Sequence, residues 1–165
     1  MMTIPANISQ RRAFLNMIAW SEIGSQLLAA SDNGYNVLVG STPAEPSLFD
    51  SYADHPRKLV RLASGISSTA AGRYQLLERY WDAYKAQLGL HDFSPISQDT
   101  VALIQIKERQ ALAAIDAGDV VEAIHRCSNI WASLPGANYG QRENQLDQLI
   151  AAFESSGGNV SKGYA

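Results

Sequence analysis

The stretch Arg11-Arg12-Ala13-Phe14-Leu15-Asn16-Met17-Ile18-Ala19-Trp20-Ser21-Glu22 reads as a helix, with β structure expected beyond it. Phe14, Ile18 and Glu22 stand four residues apart, so their side chains share one helix face. Glu22 thereby extends an apolar stripe into the last turn, where the helix dipole presents negative charge. Apolar neighbours and dipole both oppose ionisation, and the expectation is a raised pKa. A carboxylic acid that keeps its proton near neutral pH can act as a general acid. A glutamate at a helix end can equally bend out to water, so position alone leaves both readings open.

Working outward, the first helix should run from near Ser9 to Ile23 or Gly24. Residues 25–33 are small and polar and read as a loop. Gly34-Tyr35-Asn36-Val37-Leu38-Val39-Gly40 reads as a strand bounded by glycines, and residues 48–52 as a short returning strand after the turn carrying Pro43 and Pro46. Ala53 to Lys58 is a polar loop. From Gly72 the pattern turns helical: Tyr74, Leu77, Trp81, Tyr84 and Leu88 repeat in steps of three and four, with Gly89 as the stop. Ser94-Pro95 looks like an N-cap with proline at the first helical position. Val101, Ile104, Leu112 and Ile115 then carry one core face as far as Gly118, and Asp119 caps a further helix to about Trp131. Leu146, Leu149, Ile150 and Phe153 define the last helix, and the tail from Gly157 should fray. The expected class is α+β: mostly helical, with a small β-sheet inserted after the first helix.

The length of 165 residues suits one domain over 1–165, with its core at about 9–156. Apolar residues make up 46%, which argues for globular folding. A net charge of −3 leaves no basic footprint for nucleic acid. No run of eighteen apolar residues could span a bilayer, so no membrane insertion is expected. The N-terminus lacks the charged and apolar regions of a signal peptide, and folding in a cytosol is expected.

The single cysteine, Cys127, falls in the apolar row Val120, Ile124, Cys127, Trp131 and reads as a buried, inert thiol. His125 should point to another face. His55, His91 and His125 are scattered without metal-ligand spacing, so no metal and no cofactor is expected. Three loops gather polar and aromatic residues: Ser67 to Gln75, Asn129 to Gln141, and Tyr52-Ala53-Asp54-His55. A helix cap alone would account for Ser68 or Thr69. Gln75 lies one residue off the apolar row and is placed to face a cleft. Tyr139 offers a ring face and a hydroxyl. Aromatic faces beside amide and hydroxyl donors suit sugars, and packed loops would use the same residues.

The strings AFLNMIAWSE, GYNVLVG, YADHPRKLV, STAAGRYQLL, WDAYKAQLGLHDFSP, QIKER and RCSNIWASLPGANYGQ occur in this order from about Gln10 to Gly158. On these strings the chain resembles the phage lambda endolysin family, lysozyme-like lytic transglycosylases that cut peptidoglycan. The resemblance implies that Glu22, closing A-W-S-E, is catalytic. It implies that Ser68, Thr69, Tyr74, Gln75, Tyr139 and Gln141 line the sugar cleft, and that His55 lies at its upper edge in D-H-P-R. It further implies a lysozyme-like fold, a peptidoglycan glycan strand as partner, action as a monomer, and release to the periplasm through a holin. The loop at 41–47 is longer than the family's, and Ala70 stands where the family has glycine. Asp32, Asp50 and Asp54 could each supply a second carboxylate, so hydrolysis of the same bond stays open, as does a non-catalytic glycan-binding module.

Overall fold

The computed structural model describes residues 8–137 and 143–161. The chain divides into two compact units, one containing Glu22–Ala102 and the other containing the residues before and after it. Helix α1, Ile8–Ile23, has Ala13, Phe14, Leu15, Met17, Ile18 and Ala19 buried, so its middle is covered around most of its circumference rather than along the single stripe expected.

In the Glu22–Ala102 unit, residues 25–29 form one further helical turn, α2 (Ser25–Ala29), rather than loop. Burial of Leu27 and the bond from the Leu28 N–H to the Gly24 carbonyl stabilise it despite its polar flanks. The stretch 34–40 does not form a continuous strand. Val37 and Leu38 make single bridges, to Leu48 and Ala71 respectively. The Leu38 N–H bonds to Ser47, the Val39 N–H to Ala70, and the Val37 carbonyl accepts from Gly72. Successive residues thus pair with different segments, which satisfies the backbone without building a ladder. The antiparallel pair lies instead at β1 (Val60–Arg61) and β2 (Ser67–Ser68), where the expected loop region ends. The loop at 41–47 closes on itself, through Ser47 N–H to Ser41 Oγ and Glu45 N–H to Thr42 Oγ1.

Helix α3 spans Glu78–Leu88, starting later than the Tyr74 periodicity suggests. Gly72 and Gln75 both adopt left-handed backbone, and Ala71 bridges Leu76, so the chain makes a tight turn there before the helix begins. Leu38, Ala71, Leu76, Trp81, Phe93 and Val101 form this unit's core, with the rings of Trp81 and Phe93 edge to face at 4.9 Å.

Helix α4, Pro95–Glu108, begins as expected, with Ser94 Oγ accepting from the Ser97 N–H at 3.4 Å. The single helix expected to reach Gly118 is broken. Gln110 is left-handed, and α5 occupies Leu112–Ala117. Asp119 caps α6, Val120–Cys127, by accepting from Glu122, and turns replace the expected extension to Trp131. In this second unit α6 packs against both α5 and α7 (Leu146–Ser155). The tail does not fray at Gly157. Gln10 of α1 exchanges hydrogen bonds with both backbone groups of Asn159, and Ser161 N–H bonds to the Gly118 carbonyl. No helix among the described residues is long and apolar enough to cross a membrane.

Candidate active site

Glu22 sits in the last turn of α1, half-buried, on the row that continues from the fully buried Phe14 and Ile18. Just before it, Ser21 is tied to the loop that ends at Asn144. Asn144 Nδ2 donates to Ser21 Oγ at 2.8 Å and to the Ser21 carbonyl at 3.2 Å, and Ser21 Oγ meets Ser133 Oγ at 2.7 Å.

The Ser68-to-Gln75 segment forms a polar hub in its own unit. Thr69 Oγ1 accepts from the Glu78 N–H at 3.1 Å and so caps α3 from outside the helix. Ser68 Oγ accepts from the Ala70 N–H in a local turn. The Tyr74 ring is buried, and its hydroxyl donates to Asp99 and accepts from Arg73. Burial, with the negative charge of Asp99 beside it, pushes the Tyr74 phenol well above its ordinary range. Gln75 is half-buried and folds its amide back to the Gly72 carbonyl at 2.8 Å. Arg73, 3% exposed, lies between the rings of Tyr35 and Tyr74 at 5.3 and 5.6 Å and donates to the Asn33 carbonyl. Gln98 closes the hub: its Oε1 accepts from the Arg73 N–H, and its Nε2 donates to the Tyr35 and Phe93 carbonyls.

His55 is 2% exposed. Its Nε2 faces the Leu76 carbonyl at 2.9 Å, and its Nδ1 accepts from the Arg57 N–H at 3.0 Å. A carbonyl only accepts, so the proton resides on Nε2 and the ring is neutral. Desolvation lowers its pKa from the ordinary 6.5. The contact joins D-H-P-R directly to the end of the S-T-A-A-G-R-Y-Q segment. Asp54 beside it accepts from Trp81 Nε1, Arg57 Nε and Lys85 Nζ. Those donors, Arg57 first, hold its carboxyl far below the usual carboxylate range. Asp32 accepts from the Tyr52 hydroxyl, and Asp50 is exposed.

Tyr139 and Gln141 lie outside the described residues. On either side of them the loop is tied to itself: the Asn144 N–H bonds to the Ser133 carbonyl, and Glu143 accepts from the Gly136 N–H. Cys127 is buried and its thiol is pushed up to about 12 by desolvation, while His125 is exposed on another face. No group of three His, Cys, Asp or Glu among the described residues could hold a metal.

The sequence reading missed Gln98, Asp99 and Asn144. A glutamine and an aspartate near the start of a helix carry no local mark of burial. Their partners Tyr35, Arg73 and Tyr74 lie 25 to 64 residues away in the chain. Asn144, next to the unremarkable Gln145, pairs with Ser21 at a separation of 123.

A family model described as Endolysin matches residues 12–160. The chain is 60% identical over 153 residues to the endolysin of Escherichia phage lambda, covering 92% of this chain and 94% of that one. It is 47% identical over 151 residues to the endolysin of Escherichia phage P2, covering 88% and 92%. A solved structure of bacteriophage lambda lysozyme complexed with a chitohexasaccharide is similar at a TM-score of 0.86 and 57% identity, covering 98% of this chain and all (100%) of that one. A second, lysozyme from bacteriophage lambda, is similar at 0.83 and 56% over the same shares. The fold is thus that of a phage lysozyme, α+β with a small antiparallel sheet, and the chain belongs to the endolysin family.

Proposed function

We propose that the protein is a lytic transglycosylase of the bacterial cell wall, acting as one catalytic domain on a peptidoglycan glycan strand. The observation that carries this reading is Glu22, closing Ala19-Trp20-Ser21-Glu22 in the last turn of α1, half-buried on the Phe14–Ile18 row. A relative of 57% identity takes a chitohexasaccharide, a β-1,4 polymer of the same class of N-acetylated sugar.

Protonated Glu22 donates to the glycosidic oxygen between N-acetylmuramic acid and N-acetylglucosamine. The C1–O bond breaks, its electron pair stays with the leaving oxygen, and C1 becomes oxocarbenium-like. The 2-acetamido group assists. The Glu22 carboxylate then removes the proton from the sugar's own 6-hydroxyl as O6 bonds to C1. A 1,6-anhydro ring closes, no water enters, and Glu22 ends protonated as it began. This cycle needs one carboxyl that alternates between acid and base. Inverting or double-displacement hydrolysis needs two. The engagement of Asp54 by three donors and of Asp32 by Tyr52 supports the one-carboxyl route.

Ser68, Gln75, Tyr139 and Gln141 are proposed sugar contacts. Tyr74, Thr69 and His55 hold the backbone of the segment that carries Ser68 and Gln75, through Asp99, the α3 cap and the Leu76 carbonyl respectively. The enzyme is proposed to work as a monomer, without cofactor, after release to the wall through a holin.

Wall clearing by purified Glu22→Gln tests the reading, because the amide neither donates a carboxyl proton nor takes one back. A folded variant that still clears walls would sink it. Product mass tests the finer reaction: anhydro ends are lighter by one water than the reducing ends of hydrolysis. Reducing ends would replace the transglycosylase reading with hydrolysis of the same bond.

A further inference from the structure

We propose that Asn144 is a positioning residue for Glu22, acting through the peptide group that Glu22 shares with Ser21; the inference rests on the catalytic reading of Glu22. The last carbonyls of a helix have no regular partner within it, and those of α1 include that of Ser21. Asn144 Nδ2 supplies a donor to that oxygen at 3.2 Å. A carbonyl oxygen only accepts, so the amide must present its NH2 end here. The second Nδ2 hydrogen reaches Ser21 Oγ at 2.8 Å, and Ser21 Oγ shares a hydrogen bond with Ser133 Oγ at 2.7 Å.

The mechanical consequence comes from peptide planarity. The Ser21 carbonyl carbon and oxygen lie in one plane with the Glu22 nitrogen and Cα. Holding that oxygen holds the tilt of the last helical turn, and with it the origin of the Glu22 side chain. Asn144 is itself secured, since its N–H bonds to the Ser133 carbonyl at 2.8 Å. Ser21, Ser133 and Asn144 are all half-buried, so water competes only in part for these bonds. An acid–base carboxyl must reach two oxygens in turn, and a displacement on the order of 1 Å can cost rate heavily.

The same helix supplies a control at its other end. Gln10 also ties α1 to distant backbone, donating to the Ile115 and Asn159 carbonyls and accepting from the Asn159 N–H. It lies three helical turns from Glu22. The experiment measures kcat and KM on a soluble peptidoglycan glycan fragment, with thermal melts, for Asn144→Ala, Asn144→Asp, Ser133→Ala, Gln10→Ala and Glu22→Gln. Asn144→Ala should lower kcat about tenfold with KM within about twofold, the pattern of a contact that matters in the transition state. Asn144→Asp should be worse, because a carboxylate faces the Ser21 carbonyl. Ser133→Ala, which keeps the carbonyl bond, should lose less than Asn144→Ala and covers the case in which the larger changes impair folding. Gln10→Ala should lower the melting temperature and leave kcat unchanged.

Full kcat in Asn144→Ala beside an inactive Glu22→Gln overturns the positioning role and leaves the catalytic reading standing. Equal kcat losses in Gln10→Ala and Asn144→Ala also overturn it, since general loosening of α1 would then suffice. Retained activity in Glu22→Gln overturns the catalytic reading itself.

Discussion

Two glycines with nearly equal φ allow a steric cost to be separated from a conformational one. Gly65 has φ +88° and Gly72 has φ +84°. A Cβ on Gly65 meets nothing within 4 Å, whereas one on Gly72 falls 2.3 Å from Gln98 Oε1, 2.9 Å from its Cδ and 3.1 Å from Phe93 Cε2. Gly65→Ala should cost only the left-handed backbone penalty, about 1–2 kcal/mol. Gly72→Ala carries the same penalty and must also expel the Gln98 amide. Gln98 is 3% exposed and serves the Arg73 N–H and the Tyr35 and Phe93 carbonyls, so its neighbours cannot simply turn to water. Each stranded backbone group costs about 1–3 kcal/mol, which puts the extra loss near 3–6 kcal/mol after partial relaxation. That rivals the whole stability of a typical domain, about 5–15 kcal/mol. Denaturant titration of both variants by circular dichroism measures the difference. Losses of unfolding free energy equal to within about 0.5 kcal/mol would refute the reasoning, because the buried amide would then contribute nothing.

Other consequences concern titration and reactivity. His55 has a lowered folded pKa, so its neutral form is favoured in the native state; its contribution to stability is complete above about pH 6.5 and is lost as pH falls below that value. His55→Gln should flatten the slope of melting temperature against pH in that window, and an unchanged slope would place its cause elsewhere. Asp54 also has a lowered folded pKa, and its contribution is present above the unfolded value of 3.8 and lost on acidification below it. Its side chain is 36% exposed and Arg57 keeps Glu78 and Asp82, so Asp54→Asn should cost only about 1 kcal/mol at neutral pH. A loss several times larger in denaturant titration would contradict that exposure discount. Cys127, with its thiol near 12 and fully buried, should resist a thiol-specific chromogenic reagent in the native protein and react at once in denaturant. Prompt native labelling would show that the site opens.

The elements legible along the chain were those set by periodicity and capping. The apolar rows of α1, α6 and α7 marked helices because every third or fourth residue must face a core. Ser94-Pro95, Gly89 and Asp119 marked boundaries because caps are chemistry between near neighbours. The same local rules failed where pairing was distant. Gly34–Gly40 has strand composition, yet its backbone groups are claimed by Asn36–Phe49, Ser47 and Ala70 contacts one residue at a time. Tyr74 and Leu77 fit a helical row, but Gly72 and Gln75 turn the chain before the helix can start. The tail was expected to fray because nothing near it holds it, and Gln10, almost the full chain length away, does so.

For the site, the sequence by itself determined the proposed reacting group. Glu22 is placed by one helix that is written in twelve consecutive residues. Tertiary structure alone decided how the individual side chains are held: that Tyr74 is turned inward to Asp99, that His55 is a neutral core residue bonded to Leu76, and that Asn144 bonds to the peptide before Glu22. The physical reason is the range of the forces. A helix face depends on residues three and four apart, whereas a buried hydrogen bond exists only where folding brings a donor and an acceptor together from anywhere in the chain.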